Sequence, residues 1–409
     1  MATAQAEVRA PFAGAYRIWV IALSGVMLIG IIAGIVVLAN GLQVTGLSDR
    51  VPWGLWITVD LSAIALGAGA FTFSAIVYIF HIERFKPIAR VAVFIGFIGY
   101  TSAMLALAMD IGRPDRFWHP LVYWNVHSVL WEITWCVVLY STVLAVEFLP
   151  ILLETSYFDR HPRIRQFGGW LHRLTPVMAI FGLALSLLHQ SSLGATYGVL
   201  AGRAIWFKPS LPVMFILSAV AGGVSLTLLV TLLSTKLTGR SLISKELTRD
   251  IARVAGFAIL AYMYLKLWDW AATSYYSHTP GAADTLARLQ ATTPYEQSFW
   301  WLEVILGGLV PAVIFLVGSL RRNDRALMLA SGLVVFSIVV NRWNVTLSGL
   351  VAPPQWSPGV LGNVVAAEYF PSAIEFAVAA GVLAFALLAL TLGVRYLPLY
   401  PRTTSEGGD

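Results

Sequence analysis

Ten residues that carry charge, or titrate near neutral pH, sit in or at the ends of apolar runs: Asp60, Asp110, His127, Glu132, His189, Lys266, Asp269, Glu303, Arg342 and Glu375. Placing such a side chain in a membrane span costs at least about 2.5 to 3.5 kcal/mol on insertion scales, so each is a functional candidate. Carboxylates and imidazoles in this setting can exchange protons and hydrogen-bond the polar atoms of a ligand. Spacing sorts them. Trp56 and Asp60 are i and i+4 and share a helix face, and Asn125 and Glu132 are i and i+7. His127 is five residues from Glu132, about 140° round a helix, so those two need not touch. Lys266 and Asp269, at i and i+3, are spaced to neutralise one another. Arg342 is a counter-charge for Glu303 or Glu375, and His189 heads a polar patch with Gln190, Ser191 and Ser192 that equally suits helix packing.

These residues need helices to position them. Apolar runs long enough to cross roughly 30 Å of hydrocarbon fall near residues 17–39, 54–80, 91–109, 124–153, 174–199, 210–234, 251–277, 299–320, 325–347 and 371–397. That predicts an all-α integral membrane protein of about ten transmembrane helices. Lys and Arg are concentrated in the segments after helices 2, 4, 6 and 8, which hold 15 against 6 in those after helices 1, 3, 5, 7 and 9. Cytoplasmic loops carry the excess of basic residues, so the even-numbered connections, with Arg9, Arg17, Arg395 and Arg402 near the termini, are expected in the cytoplasm. Both termini are then cytoplasmic, and the loops near 40–53, 110–123, 278–298 and 348–370 face outward, toward the periplasm of a bacterium. Those loops are longer and rich in Pro, Trp and Tyr, which suits docking of an external partner. In this orientation nearly all the candidates lie in the outer half of their helices, with Glu147 the exception near an inner end. The pattern suggests a pocket reached from the outer leaflet, whereas a transporter would set its site near the midplane between inverted repeats.

Composition excludes several chemistries. The 409 residues are 58% hydrophobic and 12% charged, far below the roughly 25% charged content of soluble domains. The net charge of +6 therefore carries no nucleic-acid signal. One cysteine, Cys136, rules out a disulfide, a thiolate metal site or a cysteine-held iron–sulfur cluster within the chain. A bis-histidine haem in the membrane has only His127 and His189 to draw on, so no haem is expected. No nucleotide-binding or hydrolase signature appears. The run after MATAQAEVRAPFAGAYR lacks a cleavage site and reads as a retained span.

The stretch AMDIGRPDRFWHPLVYWNVHSVLWEI, Ala108 to Ile133, joins a helix end, a loop dense in Arg, Asp and aromatics, and a helix start bearing Asn, His, Ser and Glu. With Gly112, Arg113, Pro114, Phe117 and Trp118 in the loop, Asn125 and Ser128 after it, and Val51-Pro52-Trp53-Gly54-Leu55-Trp56 leading into helix 2 ahead of Gly67 and Gly69, it resembles the NrfD/PsrC family of quinone-interacting membrane subunits. It looks most like the ten-helix branch that includes HybB-like hydrogenase subunits, DsrP-like subunits, menaquinone reductase complexes and alternative complex III. The resemblance implies two four-helix bundles, helices 2–5 within residues 54–199 and helices 6–9 within residues 200–347. Helix 1, within residues 1–53, and helix 10, within 348–409, would be peripheral. SAIALGAGAF on helix 2 and SAVAGGVSL on helix 6 agree with a parallel repeat.

The resemblance further implies a quinone or quinol, menaquinone or ubiquinone, bound in the first bundle near the outer face. Its implied partners are a periplasmic four-cluster-type iron–sulfur subunit and a catalytic subunit: a hydrogenase, a molybdoenzyme-like protein or a cytochrome c. The site would hold Trp56, Asp60, Asp110, Arg113, Tyr123, His127, Trp131 and Glu132, with His127 and Tyr123 on the carbonyl oxygens, Asp60 and Glu132 exchanging protons, and Trp56 and Trp131 over the ring. Arg113 has a second reading as a loop ion pair with Asp110 or Asp115. His189, Lys266, Asp269, Glu303 and Arg342 would form a second polar path. Two other functions compete, a proton-coupled secondary transporter and a structural membrane anchor for a peripheral enzyme. The parallel repeat and the off-centre charges weigh against the first, and the number of buried ionisable residues against the second.

Overall fold

A computed structural model describes residues 13–276, 278–352 and 367–401. Among the described residues there is no strand, and ten helices are long and apolar enough to cross a membrane. In chain order they are α1 (Ala13–Asn40), α2 (Leu55–Ile79), α3 (Lys86–Asp110), α4 (Val129–Leu153), α5 (Pro162–Gly198), α6 (Leu211–Thr238), α7 (Lys245–Ser274), α8 (Tyr295–Leu316), α9 (Asp324–Val351) and α10 (Ala373–Tyr396). Arg9 and Arg402, and most of the expected docking loop at 348–370, lie outside the described residues. Even-numbered helices start, and odd-numbered ones end, on a side rich in Trp and Tyr, here called the aromatic side. The opposite, basic side carries the Arg- and Lys-rich connections.

Local sequence sets the ends. Ser128 caps α4 by accepting from Trp131 N–H, Ser244 caps α7 by accepting from Leu247 N–H, and Asn323 caps α9. Such side chains satisfy N–H groups that the first helical turn leaves free. α10 opens with a full capping box, Ser372 and Glu375 each bonding the other's backbone N–H. α6 ends at Gly239, whose φ of 70° is the left-handed geometry that glycine tolerates best.

α2 and α6 form the centre. α2 packs on α3, α5, α6 and α9, while α6 also packs on α5, α7 and α9; α4 joins α3 and α5, and α8 joins α7 and α9. Lipid tails are as apolar as leucine, so helices in a bilayer associate by close packing of small residues. The α2–α6 crossing depends on this, because a Cβ on Gly69 would collide with the backbone at Ala219, and one on Gly223 with that at Ala70. α1 and α10 pair with each other at Gly30 and Gly381 and lie against α3.

Several helices differ from expectation, among them α5, which begins at Pro162 and not near residue 174, and α7, which begins at Lys245 and not near 251. The fourth span was expected from about residue 124, but α4 begins at Val129, and residues 123–128 form an irregular segment in front of it. A hydropathy window cannot separate Trp124 and Val126 from the helix they precede. α8 is π-helical from Ser298 to Leu309. Such wide turns are rare and concentrate at functional sites.

Candidate functional site

Apart from Glu147 on α4, the buried polar side chains of the first-half helices lie on α2, α3 and α5. Asp60 is one turn into α2 and Asp110 ends α3; both are buried, and one carboxylate oxygen of each, Oδ1, has no protein partner. Asp60 lies within electrostatic reach of Asp110 and of Tyr100. The Tyr100 hydroxyl and Nδ1 of His189 share a hydrogen bond of 2.7 Å, leaving Nε2 of the fully buried His189 unpartnered. The neighbouring Gln190 is buried with both ends of its amide unpaired, and so is the Ser102 hydroxyl. An unpaired buried polar atom costs about 1–3 kcal/mol, and native proteins keep few of them. A cluster of them on three facing helices is suited to a polar guest.

Glu132 stands at the edge of this group. It is half-buried and accepts from the Ser192 hydroxyl at 2.5 Å. Ser192 belongs to the same α5 turn region as His189 and Gln190, so the polar patch at 189–192 faces the helix-4 carboxylate as well as the α3 tyrosine. Trp56 is buried, and its indole N–H donates to the Glu375 carbonyl at 3.1 Å. The Glu375 carboxylate accepts from Gly46 N–H, Ser372 N–H and the Tyr369 hydroxyl, which in turn accepts from Leu55 N–H at 2.9 Å. One side chain of α10 thus fastens the segment from which α2 starts.

Several expected members lie elsewhere. His127 and Tyr123 are exposed on the irregular segment before α4, so neither is a buried ligand and Asn125 does not share a helix face with Glu132. His189, by contrast, is fully buried. Arg113 is exposed and ion-pairs with Asp115 at 2.9 Å, not with Asp110. That hydrogen-bonded guanidinium holds the Asp115 carboxyl below the usual carboxylate range. Trp131 is half-buried, donates to the Pro120 carbonyl at 2.9 Å and packs with Trp124 and Trp135 as an aromatic rim.

In the second half, Lys266 ion-pairs with Glu303 across α7 and α8, and not with Asp269. Asp269 pairs instead with Lys208 at 2.8 Å and accepts from Ser210 at 2.9 Å. Local i, i+3 spacing lost to a partner on the facing helix. Glu303 also accepts from the side-chain amides of Asn341 and Asn344 on α9. Arg342 has no carboxylate within ion-pair distance among the described residues. It donates to Asn341 and Ser218 and stacks on Phe215, 3.8 Å from the ring centre. Lys208, Lys266, Asp269, Glu303, Asn341 and Asn344 line an open cavity of about 50 Å³ near the aromatic side.

A smaller cavity, about 20 Å³, opens at the basic side beside the buried Glu147, whose Oε1 has no partner, with the Arg90–Glu154 ion pair and His172 around it. Glu147 and Tyr140 are i and i+7 on α4, and the Tyr140 ring meets that of Tyr100 edge-on at 4.5 Å. Polar side chains thus extend from the basic side to the His189 cluster. The sequence flagged Glu147 as an outlier, but Tyr100 and Tyr140 carried no signal, since tyrosine in a span is usually a packing or interfacial residue.

Comparison with known proteins converges on one family. Residues 43–354 match the profile described as polysulphide reductase, NrfD. The chain is 37% identical over 393 residues, 91% of this chain and 89% of the other, to the menaquinone reductase integral membrane subunit of Nitratidesulfovibrio vulgaris. It is 26% identical to the Hdr-like menaquinol oxidoreductase integral membrane subunit of Archaeoglobus fulgidus, covering 96% and 95% of the two chains. It is also 28% identical to the probable Ni/Fe-hydrogenase 2 b-type cytochrome subunit of Escherichia coli, covering 88% and 86%.

Proposed function

The chain belongs to the polysulphide reductase NrfD family, and from that premise we propose that it is the membrane subunit of a respiratory quinone oxidoreductase complex, binding quinone or quinol in its first half and exchanging electrons with an iron–sulfur partner. The names of two relatives, a menaquinone reductase and a menaquinol oxidoreductase subunit, support the class of ligand. The observation that carries the site is the buried, unpartnered group of Asp60 Oδ1, His189 Nε2 and the Gln190 amide on facing helices near the aromatic side.

The donor set fits a quinone headgroup. A quinone supplies two-electron chemistry coupled to two protons, so its site needs hydrogen-bonding groups for two carbonyl oxygens and carboxylates that take and give protons. His189 and Gln190 replace His127 and Tyr123 as the groups that bond the oxygens. Tyr100 fixes the orientation of the His189 ring. Asp60, with an oxygen uncommitted, exchanges protons; Asp110 beside it and Glu132, held by Ser192, pass them on. Burial excludes bulk water from Asp60, so protons travel through side chains such as Glu147 at the basic side rather than through open solvent.

The exposed loop with Arg113, Phe117, Trp118, Tyr123, Trp124 and His127 is where the iron–sulfur partner docks in this reading. The Lys and Arg distribution supports a bacterial inner-membrane topology with the basic side and both termini in the cytoplasm. The test is quinol-analogue binding by the purified complex, comparing wild type with Asp60→Asn and His189→Ala after checking that each variant assembles. Loss of binding with assembly intact is expected, and unchanged binding in both variants would remove the first-half site.

A further inference from the structure

Arginines gather where three parts of the chain meet at the basic side. Arg84 lies between α2 and α3, Arg249 and Arg253 in the early turns of α7, and Arg321 and Arg322 just past α8. One buried carboxylate, Asp250, serves them, pairing with Arg84 and, at 3.0 Å, with Arg253. Arg321 donates to the Phe315 and Leu316 carbonyls at 2.9 and 3.0 Å, and its Nε is buried without a partner. Arg249 and Arg322 form no ion pair among the described residues, whereas Arg90 and Arg165, elsewhere on this side, pair with Glu154 and Asp159. The neighbouring carboxylates are engaged: Glu83 pairs with Lys86 and Asp324 with Lys245, while Glu246 is exposed in the first turn of α7. Burial, then the Arg253 charge and with it those of Arg249 and Arg322, hold the Arg321 guanidinium below arginine's ordinary pKa, and Asp250 opposes them only in part. Positive charge is in excess here.

The apolar surface beside the patch narrows what supplies the counter-charge. A Cβ on Gly256 would meet Leu316 at 2.8 Å, so α7 and the end of α8 are in close contact there. At 3.6 residues per turn, Arg249, Arg253, Phe257, Leu260 and Tyr264 fall within about 80° of arc on α7, beside that contact. Phe257, Leu260 and Tyr264 are 65%, 41% and 61% exposed, and Val313 and Val317 at the end of α8 are exposed as well. The apolar run of α7 starts near residue 251, inside a helix that begins at Lys245. Arg249 and Arg253 therefore stand where headgroups meet hydrocarbon, and the stripe runs on from them into the hydrocarbon. A soluble anion would use the guanidinium groups and leave the stripe unused. An occupant with an anionic head and an apolar chain uses both.

We propose that this patch seats an anionic phospholipid of the basic-side leaflet, its phosphate among Arg249, Arg253 and Arg322 and an acyl chain along Phe257, Leu260 and Tyr264. The guanidinium fork matches phosphate oxygens with paired N–H donors. Basic clusters at the membrane surface favour anionic over zwitterionic headgroups through the same charge. The lipid joins α7 to the end of α8 and, through Asp250 and Arg84, to the α2–α3 connection, so it braces the two halves of the chain from outside. The patch stands at the opposite side from the Asp60 cluster, and neither reading depends on the other.

The test places the assembled complex in phosphatidylcholine nanodiscs with a small fraction of phosphatidylglycerol bearing a photoreactive acyl chain, and maps the labelled peptides by mass spectrometry. Label is expected on peptides covering residues 249–264 and 313–322, and a phosphatidylcholine probe with the same chain should label them about tenfold less. Arg249→Gln with Arg322→Gln, which breaks no ion pair, should lower the phosphatidylglycerol label there by about tenfold. Arg163→Gln with Arg173→Gln removes the same charge from the exposed start of α5 and should leave the label unchanged. No label on these peptides overturns the site. Equal labelling by the two probes, or equal loss in the two double variants, also overturns it, because the patch then adds nothing to the general basic field of this side. Should the Arg249 and Arg322 variant fail to assemble, competition on wild type decides: excess unlabelled phosphatidylglycerol should displace the label and glycerol phosphate should not. Displacement by glycerol phosphate would make this an anion site and overturn the lipid one.

Discussion

Tyr100 on α3 and His189 on α5 share a hydrogen bond of 2.7 Å, and the other ring nitrogen of His189 meets no protein group. A buried imidazole tethered at one nitrogen presents the other in a fixed direction, which is how a hydrogen-bonding ligand is oriented. Tyr100→Phe keeps the ring contact with Tyr140 but removes the tether. The free Nδ1 then costs about 1–3 kcal/mol and lets the ring turn. Quinol-analogue affinity should fall about tenfold, read by titration of tryptophan fluorescence. An unchanged dissociation constant would mean that the tether serves packing alone.

Lys266 and Glu303 give a prediction about stability. Removing one partner of a buried pair leaves an uncompensated charge, at about 3–5 kcal/mol, whereas replacing both by apolar residues is often close to neutral. Lys266→Met should therefore lower the melting temperature of the purified complex markedly. Lys266→Met with Glu303→Leu should recover only part of it, because Asn341 and Asn344 also lose their acceptor. A double variant no better than the single one would show that the amide contacts, rather than the ion pair, hold α7, α8 and α9 together.

His127 separates an exposed role from a buried one. It sits on the irregular segment before α4, while Asp60 is buried. His127→Ala should leave quinol-analogue affinity within about twofold, since surface substitutions away from special features shift free energy by roughly 0.5 kcal/mol or less, while Asp60→Asn should abolish it. If His127→Ala instead matched Asp60→Asn, the loop would have to fold over the site on ligand binding.

The ten spans were legible because each is a long apolar run. What the chain alone hid was pairing. Lys266 has Asp269 one turn away and Glu303 on another helix, and sequence spacing favours the local choice; only packing of α8 on α7 decides for Glu303. His127 and His189 look alike as lone histidines beside polar neighbours, yet one is exposed and the other fully buried. Their difference comes from where α4 begins, five residues after Trp124, a boundary that hydropathy averages away.

Glu375 makes α10 more than a lipid-facing helix. It gathers Gly46 N–H, Ser372 N–H and the Tyr369 hydroxyl, and its carbonyl receives the Trp56 indole. Leu55 N–H, in the first turn of α2, ends on that same tyrosine oxygen. Burial first, and then the hydrogen bond to Glu375, raise the Tyr369 phenol above tyrosine's ordinary range. Because the folded value is raised, the contribution is in full force below the ordinary value near 10 and is lost as pH climbs above it. Hydrogen exchange at residues 46–56 should therefore be no less protected at pH 9 than at pH 7, once intrinsic rates are divided out. Tyr369→Phe removes a donor to a charged acceptor, worth about 1.5–3 kcal/mol, and strands Leu55 N–H. Protection at 46–56 should drop accordingly, and quinol-analogue affinity with it, since Asp60 lies only five residues beyond Leu55. Loss of protection without loss of affinity would make the latch a fastening for α10 alone and would detach the start of α2 from the geometry of the site.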